Sequence, residues 1–437
     1  MPIDFQKLRL DGVYRQNDAD QLMLRVKIPA GVLSAPQAET LCAVAETFSN
    51  GRLHLTCRGS IELHWLKHLQ LAEIIRQLAA VGLTTRGACG GAVRGISCST
   101  SAGPGFAVVQ RVVRHLHRHF AGNPHFEGLP KKFKIGVETG YAGARHLIQD
   151  LGIVHTGTIE SSERFDVWCA GGLGREPQAG FLLRKDVAEA ELLPLAEAVV
   201  RIYARHAPPT KRLKHVARGL GAERLRELIA ADFSPPQSSL PTLAGELTRD
   251  TGVRLVIPVF AGEIDAVDLR RVTATATAHG DGTLVLSADQ DIMLYLPGPT
   301  SLALASKDLA DLLLDSPEGH VTIRVCPGNH ECRMGLAPTR DIARQVIAGL
   351  GPQLRKLTWA VSGCPNSCSQ PQLADIGIQT AKLVKGGDGS RSPLFDLYRR
   401  SGAGLGQAIA VGLDADELLA TIGRLHCIAG LDHPTVR

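Results

Sequence analysis

Four cysteines in the last third of the chain form two closely spaced pairs. Five residues separate Cys326 from Cys332 in "VCPGNHEC", and three separate Cys364 from Cys368 in "SGCPNSC". The other six of the ten cysteines are scattered singly, as is typical of small buried apolar side chains. Clustered thiols in a reducing compartment usually hold a metal, so these four are the candidate metal ligands.

The spacing of the four cysteines leaves two kinds of metal site open. Structural zinc sites favour cysteines two to four residues apart, which suits the second pair better than the first. An iron–sulfur cube also takes four thiolates, and its larger size tolerates looser loops. Pro327, Gly328, Gly363 and Pro365 stand beside the cysteines, and such residues form turns whose backbone amides can point at cluster sulfurs. The pattern therefore favours an iron–sulfur cluster over zinc.

Basic residues are the corresponding chemical feature of the first half. Arg58 lies in "LTCRGSIEL", Arg94 in a glycine-rich loop, and Lys132 and Lys134 in "LPKKFK". The alternation of Lys132 and Lys134 predicts a strand that places both lysines on one face. Arginine forks bind the oxygens of small oxyanions, and lysines act as compact donors. We therefore expect an anion site in the first half and a metal cluster in the second.

The composition restricts the class of protein. The chain has 437 residues, 44% hydrophobic and 21% charged, which is typical of a globular protein with more than one domain. A net charge of +5 without a block of like charges argues against a nucleic-acid partner. The polar start and the absence of an apolar run of about 18 residues argue against a signal peptide and a membrane span. We expect a cytoplasmic protein.

The predicted secondary structure alternates between strands and helices, so the fold class is α/β or α+β. Strands are expected over 22–33, in two pieces of 51–65 around a turn at Arg58, and over 131–137. A capping box formed by Ser34 and Gln37 predicts a helix that ends near Phe48. Further helices are expected over 68–80 and near 105–120.

The second half of the chain repeats the pattern of the first. A stretch typical of a linker, "DFSPPQSSLPT", lies near residue 235. After it, "LVIPVF" corresponds to "VKIPAG", "GTLVLSADQDIML" to "GRLHLTCRGSIEL", and "KLTWAV" to "KFKIGV". A two-copy internal duplication follows, in which Asp289 and Thr358 occupy the places of Arg58 and Lys134.

These motifs resemble the siroheme-dependent sulfite and nitrite reductases over nearly the whole chain. The paired cysteines match the cluster signature of that family, and "MLRVKIPAG", "LTCRGSIEL", "LPKKFK", "CAGGLGREPQAG" and "TKRLKHV" are similar to its other segments. The resemblance implies two ferredoxin-like half-domains and two lobes that bind siroheme and a [4Fe–4S] cluster. The implied half-domains are 1–79 and 236–312. The implied lobes are 80–235, with the anion pocket, and 313–437, with the cluster cysteines.

The resemblance also implies roles for individual residues. Cys326, Cys332, Cys364 and Cys368 would hold the cluster, and Cys368 would also ligate the siroheme iron. The substrate oxyanion would meet Arg58, Arg94, Lys132 and Lys134. Candidates for pairing with the siroheme carboxylates are Arg25, Lys27, Lys211, Arg212 and Lys214.

The expected reaction is six-electron reduction of sulfite to sulfide, with electrons from a separate ferredoxin or flavoprotein. Lys134 favours sulfite, because plant-type nitrite reductases usually have asparagine there. Gly59 and Gly95 depart from the family pattern of Arg-Gln and Arg-Asn and alter the pocket. The alternatives are nitrite reduction to ammonia, an enzyme similar to precorrin-3B synthases, and a non-catalytic subunit that keeps siroheme; a zinc-stapled binding protein is the remaining option.

Overall fold

The structure is a computed structural model that describes residues 4–17, 20–99, 105–235, 252–313, 320–387 and 389–425. The chain divides into two compact units, Met1–Leu313 and Leu314–Arg437. Most of the linker near residue 235, and Cys427, lie outside the described residues. No helix among the described residues is long and apolar enough to cross a membrane.

The first unit contains two antiparallel sheets that exchange a short strand. The order of the first sheet is Val13–Arg15, Leu22–Val26, Ile61–Leu66, Arg52–Leu55 and Glu263–Asp265. The order of the second is Val253–Ile257, Ile292–Leu296, Thr283–Leu286 and Val32–Ser34. The first half therefore donates Val32–Ser34 to the sheet of the second half, and the second half donates Glu263–Asp265 to the sheet of the first, with Leu33 opposite Leu284 and Ile264 opposite Leu53.

Helices cover these sheets and close one shared core. Helices Ala35–Phe48 and Ala266–His279 pack against each other. Leu33, Leu41, Leu269 and Leu284 are fully buried in this core. Because apolar side chains of both halves are removed from water together, the two ferredoxin-like halves stabilise each other. The remaining helices of the half-domains are Phe5–Leu8, Leu71–Ala80, Pro299–Asp308 and Ala310–Leu313.

A third sheet in the first unit positions the candidate anion site. Its strands are Ser97–Cys98, Ile135–Glu138, Leu151–Ile159, Ser162–Cys169 and Phe181–Ala188; the first three are parallel and the others antiparallel. The helices of this lobe are Phe106–Phe120, Glu189–His206, Leu213–Leu220 and Ala222–Asp232.

The second unit repeats the strand order of that third sheet. Its strands are Ile323–Val325, Trp359–Ser362, Ile376–Lys385, Arg391–Arg399 and Gln407–Leu413, again three parallel and then two antiparallel. Its helices are Gly328–Glu331, Thr339–Ala348, Pro352–Arg355 and Ala415–Arg424. The two half-domains also repeat each other, since Ala30 and Ala261 both have φ of 56° within equivalent 3₁₀ turns. The predicted fold class and internal duplication are confirmed.

Two of the predicted strands have different limits. The stretch 22–33 is broken by the 3₁₀ turn Pro29–Gly31, because proline has a fixed φ and no N–H for a strand ladder. The stretch 131–137 forms a regular strand only from Ile135. Lys134 lies outside the strand because its N–H donates to the Asp150 carboxylate at 2.8 Å instead of to a neighbouring strand. The lysines alternate with the fully buried Phe133, which makes one isolated bridge with Val93.

The predicted helix after Ser34 is confirmed as Ala35–Phe48, and the Ser34 N–H donates to the Gln37 side chain at 3.1 Å. The expected hairpin is also present, and it places Arg58 in the turn between Arg52–Leu55 and Ile61–Leu66.

Candidate functional site

Arg58 is held rigidly by three acceptors. Its guanidinium donates to the carbonyl of Gly95 at 2.8 Å, the carbonyl of Ile135 at 3.2 Å and the side-chain oxygen of Gln149 at 2.9 Å. A guanidinium has five N–H donors. Within the described part of the chain, its Nε–H and one Nη1–H therefore have no protein acceptor. The side chain is preorganised with donors left for a ligand.

Arg94 and Lys27 lie in the same buried polar region. Arg94 donates to the carbonyls of Ala88 at 2.7 Å and Gly90 at 2.9 Å, and its buried Nε–H has no acceptor among the described residues. Lys27 is 2% exposed and donates to the Val93 carbonyl at 3.1 Å. Burial, together with the charge of Arg94, lowers the pKa of Lys27 to about 7.

Arg25 pairs with a carboxylate of its own sheet. Its Nε donates to Glu62 at 2.9 Å, and Nη2 contacts the same oxygen. Burial opposes the charge on each side chain, but the mutual attraction raises the pKa of Arg25 and lowers that of Glu62. Arg25 is therefore already neutralised within the protein.

Asp150 connects Lys134 with Arg212. This fully buried carboxylate accepts from the Lys134 backbone N–H at 2.8 Å and from Arg212 at 2.8 and 3.2 Å. Lys214 lies two residues after Arg212, in the first turn of the helix Leu213–Leu220, and its ammonium donates to the carbonyls of Leu173 and Glu176. Burial and then the charge of Arg212 lower the pKa of Lys214 to about 8.

The structure brings most of the predicted cationic residues into one electrostatic neighbourhood. Burial, Arg212 and Arg94 lower the pKa of Arg58 to about 9, with a smaller contribution from Arg25. Lys132 and Lys134 are half-buried beside this region, whereas Lys211 is exposed. Glu62 and Asp150 balance only part of the positive charge. A buried excess of positive charge is costly without anions, so the region fits an anionic ligand.

The predicted cluster cysteines lie in two loops of the second unit that pack tightly. Cys326 Sγ accepts from the Gly363 N–H at 3.1 Å. Within the first loop, a Cβ at Gly335 would lie 2.1 Å from the Gly328 carbonyl carbon; between the two loops, a Cβ at Gly363 would lie 2.9 Å from the Gly328 Cα. Only glycine permits this approach of the two loops.

Cys364 and Cys368 lie close enough to Cys326 to act on the charge of its thiol. Burial, and then the charges of Cys368 and Cys364, raise the pKa of Cys326 well above its ordinary value, although the amides of Gly363 and Gly328 oppose the shift. Cys332 and Cys368 are exposed. No three His, Cys, Asp or Glu side chains of the described segments converge closely enough to hold a single metal ion. Thiolates that repel one another need a cationic centre, and the donor set fits an iron–sulfur cluster.

Two family models match the chain. The nitrite/sulfite reductase ferredoxin-like half domain matches residues 14–81, and the nitrite and sulphite reductase 4Fe-4S domain matches residues 90–236. The chain belongs to the nitrite and sulfite reductase family. Siroheme and a [4Fe–4S] cluster are the cofactors of this reductase family, and the cation-rich region and the four thiols provide the chemistry that each requires.

The relatives of this reductase act on either oxyanion. Sulfite reductase [ferredoxin] 2 of Mycolicibacterium paratuberculosis is 27% identical, over 90% of this chain and 76% of the relative. The ferredoxin–nitrite reductase of Synechococcus elongatus is 26% identical, over 91% of this chain and 84% of the relative. The solved structure of the Mycobacterium tuberculosis NirA protein matches with a TM-score of 0.83 at 23% identity, over 97% of this chain and 87% of that one. The likeness to that structure establishes the fold.

Sequence reasoning missed the residues of this reductase that hold the cations in place. Glu62, Asp150 and Gln149 contact their arginine partners across 37, 62 and 91 residues of chain. Of these three residues, Asp150 could have been found from the internal repeat. Asp375 holds the same place in the second copy and accepts from the Thr358 N–H at 2.8 Å.

Replacing Asp150 by alanine is expected to lower the free energy of unfolding by about 3 to 5 kcal/mol, because it leaves the buried Arg212 charge unpaired. The matched Asp375→Ala change removes hydrogen bonds to Thr358 and is expected to cost about 1 to 3 kcal/mol. Urea unfolding of both variants measures the difference. Equal losses of unfolding free energy in the two variants would show that the ion pair between Asp150 and Arg212 does not contribute to stability.

The depressed pKa of Lys27 predicts a pH dependence of stability in the cofactor-free protein. The ordinary pKa is 10.5 and the folded value is about 7, so the unfolded chain binds more protons between these pH values. The free energy of unfolding should therefore rise as the pH rises from about 7 towards 10. Lys27→Met should flatten this rise, and the exposed Lys131→Met should keep it. An unchanged slope in the Lys27 variant would refute the assignment.

Proposed function

We propose that this chain reduces sulfite to sulfide with six electrons delivered by a separate donor protein. The observation that carries the proposal is Arg58, a partly buried guanidinium fixed by three protein acceptors with two N–H donors left over among the described contacts. Preorganised donors of this kind stabilise the negative oxygens of a bound oxyanion, and they need no reorganisation during the reaction.

The proposed pocket consists of Arg58, Arg94, Lys132 and Lys134. The arginines bind and orient the oxyanion as planar forks, whereas the lysines donate protons to oxygens that leave as water. Asp150 fixes the backbone from which Lys134 projects. Lys134 favours sulfite over nitrite, because an ammonium at this place adds a charged proton donor that asparagine lacks.

The cofactors are proposed to be held by two sets of residues that share Cys368. Cys326, Cys332, Cys364 and Cys368 hold the [4Fe–4S] cluster, and Cys368 also ligates siroheme. When bound, siroheme supplies the iron that receives the oxyanion, and the cluster supplies electrons singly. Positive charge for the siroheme carboxylates comes from Arg25, Lys27, Lys211, Arg212 and Lys214.

These five cations differ in how readily they could meet a carboxylate. Arg25 and Arg212 are already paired with Glu62 and Asp150, so they would share their charge. Lys27 and Lys214 donate to backbone carbonyls, and their depressed pKa values would rise beside an anion. The exposed Lys211 has the greatest freedom to move.

The domain arrangement belongs to the same proposal. Residues 1–79 and 236–312 are proposed as the ferredoxin-like half-domains, 80–235 as the lobe with the oxyanion pocket, and 313–437 as the lobe with the cluster. The external donor is proposed to be a ferredoxin or a flavoprotein. Its support is that the Mycolicibacterium and Synechococcus relatives are both named for ferredoxin.

Nitrite is the second candidate substrate, because the nitrite reductase relative is almost as similar as the sulfite reductase. The pocket also differs from the family pattern at Gly59. Its φ is +61°, and a Cβ there would lie 3.2 Å from the Gly31 Cα, so backbone packing favours glycine.

Steady-state assays with reduced methyl viologen test the proposal. The kcat/KM for sulfite is expected to exceed that for nitrite by at least about tenfold, or about 1.4 kcal/mol in transition-state binding. A preference for nitrite would establish the second candidate. Failure to reduce either anion, in protein that carries both cofactors, would indicate a non-catalytic subunit.

A further inference from the structure

Glu138 is a buried carboxyl group that the proposed mechanism has not used. It ends the strand Ile135–Glu138 and is 1% exposed. Its Oε2 accepts from the Ser99 hydroxyl at 2.5 Å, while its Oε1 has no hydrogen-bond partner in the part of the chain that the structure describes. An ionised carboxylate requires several donors when buried, so this environment suits the neutral acid.

The charged groups around Glu138 come from four neighbouring elements. Arg145, in the 3₁₀ turn Arg145–Ile148, pairs with Asp289 at 2.9 Å. Among the described residues, Arg58 and Cys98 also interact with Glu138. Burial raises the pKa of Glu138, and Asp289 adds to the rise, against the opposing effects of Arg145, Ser99 and Arg58.

Hydrogen bonds connect this cluster with Arg58. Arg58 donates to the Ile135 carbonyl, at the other end of the strand that carries Glu138. Gln149 accepts from Arg58 at 2.9 Å and donates to the Arg145 backbone carbonyl at 3.2 Å. A protonatable carboxyl group therefore stands behind the arginine that is proposed to bind the oxyanion.

Resting on the proposed function, we propose that Glu138 holds a proton that is delivered to the Arg58 side of the pocket during reduction. Converting sulfite to hydrosulfide takes up six electrons and seven protons and releases three waters. Arginine remains protonated and cannot supply protons at neutral pH. The oxygen of a breaking S–O bond needs two protons to leave as water: Glu138 gives up its carboxyl proton as one of them, and a pocket lysine donates the other. The electrons come from the donor protein, and protons from solvent restore both groups.

Infrared spectroscopy tests the protonation without turnover. At about pH 6, more than a unit above the pKa of an exposed glutamate, wild-type minus Glu138→Gln spectra should show the carbonyl stretch of a protonated acid. The control Glu73→Gln changes a half-exposed helical carboxylate that is paired with Arg76, and it should show only a lost carboxylate band. A carboxylate band in the Glu138 difference spectrum would overturn the proposal, whatever the chain reduces.

A stability measurement gives a second readout independent of activity. Because the folded pKa of Glu138 is raised, the folded state binds more protons than the unfolded chain above the ordinary pKa of 4.5. The contribution of Glu138 to the free energy of unfolding should therefore fall as the pH rises above 4.5. Glu138→Gln should remove this contribution. An identical pH dependence in the variant would contradict the proposal.

Kinetics test the role in the reaction. Glu138→Gln is expected to lower kcat with sulfite about a hundredfold, as for the loss of a positioned proton donor, with little change in KM. Its pH–rate profile should lose one ionisation, and Glu138→Asp should restore part of the activity. If the infrared spectra show the protonated acid but kcat and the pH–rate profile of Glu138→Gln are unchanged, the carboxyl group has only a structural role. That result would overturn the proposed role in the reaction.

Discussion

Cys368→Ser protein is expected to show altered spectra for both the siroheme and the iron–sulfur cluster. The reason is the proposal that this thiolate serves both cofactors, so that its loss weakens each. Serine is a poor thiolate substitute, because its alkoxide forms at far higher pH. Optical and paramagnetic resonance spectra of anaerobically purified protein, with iron and siroheme content, measure the effect.

Cys42→Ser is the matched control for Cys368. Cys42 is fully buried in the helix Ala35–Phe48, and burial raises the pKa of its thiol to about 12, so it is an apolar core group. This variant should keep both spectra. Cys326→Ser should affect the cluster first, since Cys326 is proposed to bind the cluster alone. If Cys368→Ser and Cys42→Ser have the same spectra, the shared-ligand assignment is wrong.

Lys134→Ala is expected to lower turnover of sulfite about a hundredfold, corresponding to roughly 3 kcal/mol, the usual loss for one donor to developing negative charge. The backbone N–H bond to Asp150 survives the change, so the local structure should remain. Siroheme content should also remain, because the side chain is proposed to meet substrate. Measurements of kcat and KM with sulfite and nitrite, alongside the siroheme spectrum, test this.

Two controls accompany Lys134→Ala. Lys131→Ala removes an exposed lysine three residues earlier and should leave kcat unchanged. Lys134→Asn should shift the preference towards nitrite, since it keeps a polar side chain without the charge. Unchanged sulfite turnover in Lys134→Ala would remove Lys134 from the pocket.

Local sequence signals predicted those elements whose cause is local. The capping box at Ser34 and the alternation around Arg58 depend on residues close in the chain, and both elements formed as expected. The glycines beside the cysteines were interpreted in the same way, and the Gly363 amide does donate to Cys326.

The parts that sequence could not predict depend on distant partners. The strand exchange pairs Leu33 with Leu284, and no local pattern reveals that a strand joins the sheet of the other half. The strand expected from residue 131 began only at Ile135, because Asp150, 16 residues further on, takes the Lys134 N–H. Glu138 was overlooked because its meaning comes from burial and its neighbours.

Anaerobic purification followed by metal and pigment analysis tests the central claim most directly. The claim is that this chain holds siroheme and a [4Fe–4S] cluster. We expect siroheme absorption and about four non-haem irons per chain. One zinc per chain without a siroheme band would contradict it.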